Sequence, residues 1–283
     1  MIRLNYAVRT HQGKIRENNE DNFYWNGKIR ADVNENQLCY KGVETAGQVL
    51  AAVCDGMGGE AHGELASLIA VRALKPCSVE QVQEIALASI QMANAKICDE
   101  IERNNGKRMG TTFAALYIEN DKAVCCNVGD SRVYWMHEGT FTQLSVDHNQ
   151  VSRLIAAGIL TREEARRNKN RHVLTQYLGI FEEEMAIRPA FSEEITLDDG
   201  DIFLLCSDGL TDMVTDEEIV EILQTGKPEG QAERLAERAL EHGGRDNITV
   251  IVCQVEAEKQ KGFLSKLADQ SFLKYIGNRK RKG

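Results

Sequence analysis

Two incompatible chemistries overlap in the stretch "CCNVGDSRVYW", residues 125–135. Cys126 and Arg132 flank five residues that include Gly129. That is the spacing with which a thiolate loop cradles a phosphate and attacks it. Asp130 lies inside the same loop. Such a cradle turns backbone N–H groups and positive charge toward an anion, and a carboxylate at its centre opposes both. The following "VYWMH" reads as a strand, so no helix N-terminus is offered to a thiolate. Asp130 is therefore the better functional candidate and Cys126 reads as a buried strand residue.

Asp130 has counterparts. Asp55 follows the apolar run "VLAAVC", Asp208 follows "FLLCS", and Asp246 precedes "NITVIVCQV". Each stands beside a turn former, respectively Gly56, Gly209 and Asn247, as Asp130 stands beside Gly129. One Asp-Gly pair is only a turn, and Asp199-Gly200 reads that way. If the four strands share a core, however, their terminal carboxylates converge, repel, and must take up protons or a divalent cation. Oxygen ligands without clustered His or Cys suit magnesium or manganese. The segment "GKIRENNEDNFYW" (13–25) adds Arg16, Glu20 and Asp21, against the plainer reading of a solvated loop.

The elements that must position these residues can be read from periodicity. Strands are expected at "IRLNYAV", "NFYW", "VLAAVC", "TTFAALYIE", "KAVCCNV", "SRVYWMH", "TFTQLS", "MAIRPAF", "DIFLLCS" and "NITVIVCQV". Helices are expected over 63–74 and 79–104, the latter with Val82, Ile85, Ser89, Ala93, Ile97 and Ile101 on one face. Two short helices fit residues 148–170, an insertion of the kind that covers a site. Thr215 with Glu218 forms a capping box at another helix start, and "GQAERLAERALEH" is a further helix. Strand groups and helix pairs alternate without regular βα repetition, so antiparallel sheets packed face to face with helices outside are expected.

The totals agree with one large domain. The chain has 283 residues, three prolines and no Pro/Gly/Ser-rich linker. A formal charge of −9 argues against nonspecific nucleic-acid binding. The sequence has no long apolar run or apolar signal core, which predicts a cytoplasmic protein. Its eight cysteines form no Cys-x2-Cys pair, so reduced, buried thiols are expected rather than zinc ligands.

Taken in order, "RENNED" (16–21), "VCDGMGGEAHGELAS" (53–67), "MGTT" (109–112), "VGDSRVY" (128–134), "DH" (147–148), "LTQYLG" (174–179), "DIFLLCSDGLTDMV" (201–214) and "RDNITVIV" (245–252) resemble the metal-dependent protein phosphatase family of type 2C. The "DGMGG" form resembles its bacterial branch, whose members oppose serine/threonine kinases. The resemblance implies an α+β fold, a four-layer α-β-β-α sandwich of two antiparallel sheets flanked by helices. It places a catalytic domain over 1–255 with a flap at about 148–173. It also implies two or three Mg2+ or Mn2+ ions and hydrolysis of phosphoserine and phosphothreonine by metal-activated water.

In that scheme Asp55 bridges two ions. Glu20 and the Gly56 carbonyl help hold one, Asp208 and Asp246 the other, and Asp130 joins Asp208 at a third. Arg16 binds the substrate phosphate, while Asp21 and Asn247 support the ligands from behind. Some relatives carry a histidine two residues after the bridging aspartate as a candidate general acid; here that residue is Met57, and His62 is offset. Phosphorylated proteins, including a kinase, are the implied partners, and a monomer is expected. A regulator of one dedicated phosphoprotein is the alternative. The cysteine mechanism through Cys126 and Arg132, and a silent scaffold, are weaker, the scaffold because the acid set is intact.

Residues 256–283 lie outside the resemblance. Eight Lys/Arg against three acids give this tail +5 and leave −14 on the rest. A short packed helix with a basic end is the plain reading. A docking segment for anionic lipid or an acidic partner is the functional one.

Overall fold

The computed structural model describes residues 1–58, 62–161, 164–165 and 167–256. The chain opens with strands β1 (Ile2–His11), β2 (Asn22–Trp25), β3 (Lys28–Ile29), β4 (Gln37–Ala46), β5 (Gln48–Cys54) and β6 (Gly56–Met57). Helices α1 (Gly63–Ala73) and α2 (Val82–Arg103) follow. Strands β7 (Gly110–Thr111), β8 (Phe113–Glu119), β9 (Lys122–Val128), β10 (Arg132–His137) and β11 (Thr140–Gln143) lead to helix α3 (Gln150–Ala156). The last part holds β12 (Ala190–Phe191), β13 (Ile195–Thr196), β14 (Ile202–Cys206), α4 (Asp208–Thr211), α5 (Asp216–Leu223), α6 (Pro228–Glu241) and β15 (Ile248–Glu256).

Two antiparallel sheets carry the fold. One runs β11-β10-β14-β15-β1-β4; the other runs β12-β9-β8-β5-β2-β3, with β13 also on β9. The apolar runs are continuous because both faces of these strands are buried. Period two then sorts neighbours into different cores. In β5, Val49, Ala51 and Val53 face the space between the sheets, while Leu50, Ala52 and Cys54 face α1 and α2. In β15, Ile251, Cys253 and Val255 face between the sheets, and Ile248, Val250 and Val252 face α5 and α6. Each fully buried Val, Leu or Ile among them contributes roughly 1.5–3 kcal/mol. The result is the expected α-β-β-α sandwich.

Local signals held at most places. Thr215 and Glu218 form both bonds of the capping box. Helix α6 begins at Pro228, two residues before the expected start, because proline is suited to the first helical turn. Two readings need correction. "MAIRPAF" yields only the two-residue β12, where Pro189 offers no N–H to a ladder. The ten-residue β4 was not foreseen, although it pairs with β1 from Ile2↔Ala46 to His11↔Gln37. It is an edge strand on which only Leu38, Tyr40 and Ala46 pack toward the intersheet core, so its apolar signal is thin. The tail lies outside the described residues, apart from Glu256.

Register brings the relevant strand ends together. In one sheet Asn22 pairs with Cys54 and Phe113 with Val128. In the other Cys206 pairs with Val250 and His11 with Ile248. The start of β2, the ends of β5 and β9, the end of β14 and the start of β15 thus bound one end of the sandwich.

Candidate active site

Glu20, Asp55, Asp130, Asp208 and Asp246 line one cavity of about 530 Å³, with Arg16, Gly56, Met57, Thr112, His172, Leu174 and Tyr177. Both sheets contribute: Asp55 and Asp130 follow β5 and β9, whereas Asp208 and Asp246 flank β14 and β15. Asp21 does not line this cavity. It is fully buried behind it, and Ser207 Oγ donates to its Oδ2 at 2.7 Å.

Burial and neighbouring carboxylates raise the pKa of Asp55, Asp130 and Asp21. Burial, then the charges of Asp21, Asp208, Asp246 and Asp130, holds Asp55 well above the usual carboxylate range. Burial and Asp208 push Asp130 up to about 8. Burial pushes Asp21 up to about 7 despite hydrogen bonds from Ser207 and Thr249 that favour its charge. Among the described residues Asp21 Oδ1 has no hydrogen-bond partner. This all-oxygen, mutually repelling set fits hard divalent cations.

Backbone packing fixes the ligand candidates. Asp55 N donates to Thr112 Oγ1 at 2.8 Å, and Thr111 Oγ1 and Thr112 N both donate to Asp55 O at 2.9 Å. A Cβ at Gly56 would stand 2.3 Å from Gly63 O and 2.5 Å from Glu20 O, so no side chain fits there. Glu20 N donates to Asn247 Oδ1 at 2.8 Å, and Asn247 Nδ2 donates to Gln12 O and Asn18 O. Arg30, fully buried and not foreseen, donates to the carbonyls of Asn19, Asp21 and Val33. In sequence it was indistinguishable from a surface arginine after a short strand.

Arg16 reaches the cavity and donates to Asp246 Oδ2 at 2.6 Å. Met57 lines the cavity, whereas His62 pairs with Glu64 at its helix start. His172, in the expected flap but assigned no role, lies 3.4 Å from Asp208 Oδ2 through Nδ1 and 3.3 Å from Asp212 Oδ2 through Nε2. Leu174 and Tyr177 belong to the quoted "LTQYLG" segment and went unnoticed because apolar residues after a flap carry no chemical signature.

The thiolate alternative does not survive. Cys126 is fully buried among residues facing α1 and α2, and burial pushes its thiol well above the ordinary value. Arg132 is engaged by both oxygens of Asp147, at 3.0 Å from Nε to Oδ1 and 2.6 Å from Nη2 to Oδ2.

The sequence pattern of the family described as protein phosphatase 2C matches residues 32–241. The chain belongs to the protein phosphatase 2C family. Named proteins similar to it include serine/threonine phosphatases. PstP of Mycobacterium tuberculosis is 35% identical over 259 residues, covering 89% of this chain and 45% of that protein. The chain thus spans less than half the length of that relative. The serine/threonine phosphatase stp of Listeria monocytogenes serovar 1/2a is 32% identical over 272 residues, 92% of this chain and 98% of that protein. Among solved structures, the S. agalactiae serine/threonine phosphatase matches with a TM-score of 0.76 at 29% identity, covering 89% of this chain and all of that one. The catalytic domain of PstP in complex with two manganese ions matches with a TM-score of 0.74 at 32% identity, covering 91% of this chain and all of that one.

Proposed function

We propose that this chain is a metal-dependent protein serine/threonine phosphatase. The observation that carries the reading is the convergence of five carboxylates from both sheets on one cavity that also holds Arg16. Hydrolysis of a phosphate monoester needs accelerations of up to the order of 10^21-fold. Magnesium or manganese bound here supplies charge neutralisation and an activated water nucleophile.

The protein's own part is placement. Asp55, on which the charges of Asp21, Asp208, Asp246 and Asp130 all act, is the residue that would bridge two ions. Glu20 and the Gly56 carbonyl serve one ion, Asp208 and Asp246 the other, and Asp130 with Asp208 a third. Arg16 presents a guanidinium to the phosphoryl oxygens, which it can bind through paired charge-assisted bonds. Asp21 and Asn247 hold the Glu20 segment and the Asp208 strand end in register. Domain limits of 1–255 and a flap at 148–173 belong to the same reading.

Relatives named serine/threonine phosphatases support phosphorylated proteins as partners; a serine/threonine kinase and its substrates as the foremost of these, and a monomeric enzyme, belong to the same proposal. No helix among the described residues is long and apolar enough to cross a membrane. Eight free cysteines are compatible with a reducing compartment, and the cytoplasm is the location that goes with this proposal. The basic tail is a candidate for weak contact with anionic lipid or an acidic partner.

Hydrolysis of a phosphothreonine peptide, with and without chelator, tests the reading. Activity restored by Mn2+ and retained in Cys126→Ser supports it; chelator-insensitive activity lost in Cys126→Ser overturns it.

A further inference from the structure

The turn that carries Asp130 is held by a residue with no part in the scheme above. His148 N donates to Gly129 O at 2.9 Å, and Gly129 N donates to His148 Nδ1 at 3.2 Å. These two bonds close a ring around a glycine at φ 102°. An amide N–H can only donate, so Nδ1 accepts and the neutral ring carries its proton on Nε2. Burial lowers the His148 pKa, which keeps that lone pair available.

The opposite side of the turn has no slack. A Cβ at Gly129 would stand 2.7 Å from Thr112 Cγ2, and Thr112 Oγ1 lies 2.7 Å from Ser131 Oγ. Thr112 is also the residue to which the Asp55 amide donates. The Asp130 turn is therefore pressed against the Asp55 support on one side and clasped by His148 on the other. His148 O in turn accepts from Thr175 N at 2.7 Å, and Asn149 bridges Leu174. Asn149 Nδ2 makes a long 3.5 Å contact to Asp130 Oδ2. Side-chain support of Asp130 is thus thin, and its direction depends on the backbone turn.

We propose that His148 is a positioning residue: its two-bond clasp on Gly129 sets the direction of Asp130 and thereby the strength with which Asp130 holds a cation. The cation part rests on the phosphatase reading; the clasp does not. Partners that orient a ligand from behind typically change metal affinity by about 10- to 100-fold.

The test compares wild type, His148→Ala and His148→Asn in the full chain. Asparagine can offer its carbonyl oxygen to Gly129 N, whereas alanine offers nothing. Amide hydrogen exchange is read by NMR at Gly129 and at α6 as a distant control, and Mn2+ binding by calorimetry. In His148→Ala we expect Gly129 exchange to rise about tenfold with α6 unchanged. The weakest Mn2+ step should lose about tenfold in affinity, and His148→Asn should recover most of both. Should the alanine variant unfold, seen as exchange throughout α6, His148→Leu fills the space without an acceptor and replaces it. Unchanged Gly129 exchange, a loosened turn with unchanged Mn2+ binding, or an asparagine variant no better than alanine each overturns the proposal. A wild type that binds no Mn2+ instead sinks the phosphatase reading, and the exchange comparison still decides the clasp.

Discussion

Arg16 and Asp246 stand at opposite ends of the chain and meet at 2.6 Å. The guanidinium proposed to grip phosphate is held by a carboxylate proposed to hold a cation, and that bond is the main cause of its raised pKa. A phosphate monoester entering the cavity competes for the same fork. Arg16→Ala should raise KM for a phosphopeptide by about 10- to 100-fold, the worth of one to two charge-assisted bonds. Mn2+ affinity should move much less. Steady-state kinetics beside calorimetry separates the two, and an unchanged KM returns Arg16 to a surface ion pair worth ~0–1 kcal/mol.

Asp208→Ala and Asp246→Ala each remove one carboxylate from the crowded set without opening the core. Turnover should fall on the order of 10^3-fold, about 4 kcal/mol of barrier. Circular dichroism should stay that of the wild type. Loss of activity accompanied by loss of the folded spectrum would leave no support for a catalytic role.

The Asp130 carboxylate is approached by Asn149 Nδ2 at a long 3.5 Å. Asp130→Ala should lower turnover while calorimetry still counts two Mn2+ ions per chain. Wild-type turnover in this variant makes Asp130 a turn residue and nothing more.

Arg30→Met strips the carbonyls of Asn19, Asp21 and Val33 of their buried donor. Each buried group left unpaired costs ~1–3 kcal/mol, so denaturant unfolding should show a loss of roughly 3 kcal/mol or more. Mn2+ binding should weaken as well, because Glu20 and Asp21 lie on the segment that Arg30 holds. A stability within 0.5 kcal/mol of wild type, the ordinary range for a surface change at about that level, contradicts this role.

His137 Nδ1 lies 2.7 Å from Asp201 Oδ1, and this hydrogen bond raises the histidine pKa above its usual 6.5. A group whose folded pKa is raised stabilises the fold fully below its unfolded value and loses that contribution as pH climbs through the folded value. The gap in Tm between wild type and His137→Gln should therefore be widest near about pH 5.5 and close toward about pH 9. Equal gaps at both pH values exclude the charged pair.

The acids at strand ends were readable because both neighbours of each signal are strong: a continuous apolar run and a turn former. What sequence could not offer was the direction in which unremarkable polar residues point. Arg30 looks like any arginine beyond a two-residue strand, yet it closes the loop under Glu20. His148 was noticed only as half of "DH", and its worth lies in one ring nitrogen facing Gly129. Strand β4 escaped because an edge strand packed by Leu38, Tyr40 and Ala46 needs little apolar sequence. The Cys126 question, by contrast, was legible from the carboxylate of Asp130 inside the loop and the strand that follows it, and the structure agrees: Cys126 is buried toward the helices and Arg132 is engaged by Asp147.

The last strand of the sandwich is not at its edge. β15 inserts between β14 and β1, and Asp246 stands just before it. A chain still being synthesised holds β1 with one long side open until residues near 256 leave the ribosome, because the strands that bring Asp208 alongside Glu20 join β1 only through β15. Pairing over so long a sequence separation is slow, and domains of this size complete folding as units. On the phosphatase reading proposed above, the carboxylate set that lines the cavity is therefore completed only after synthesis has passed the final strand.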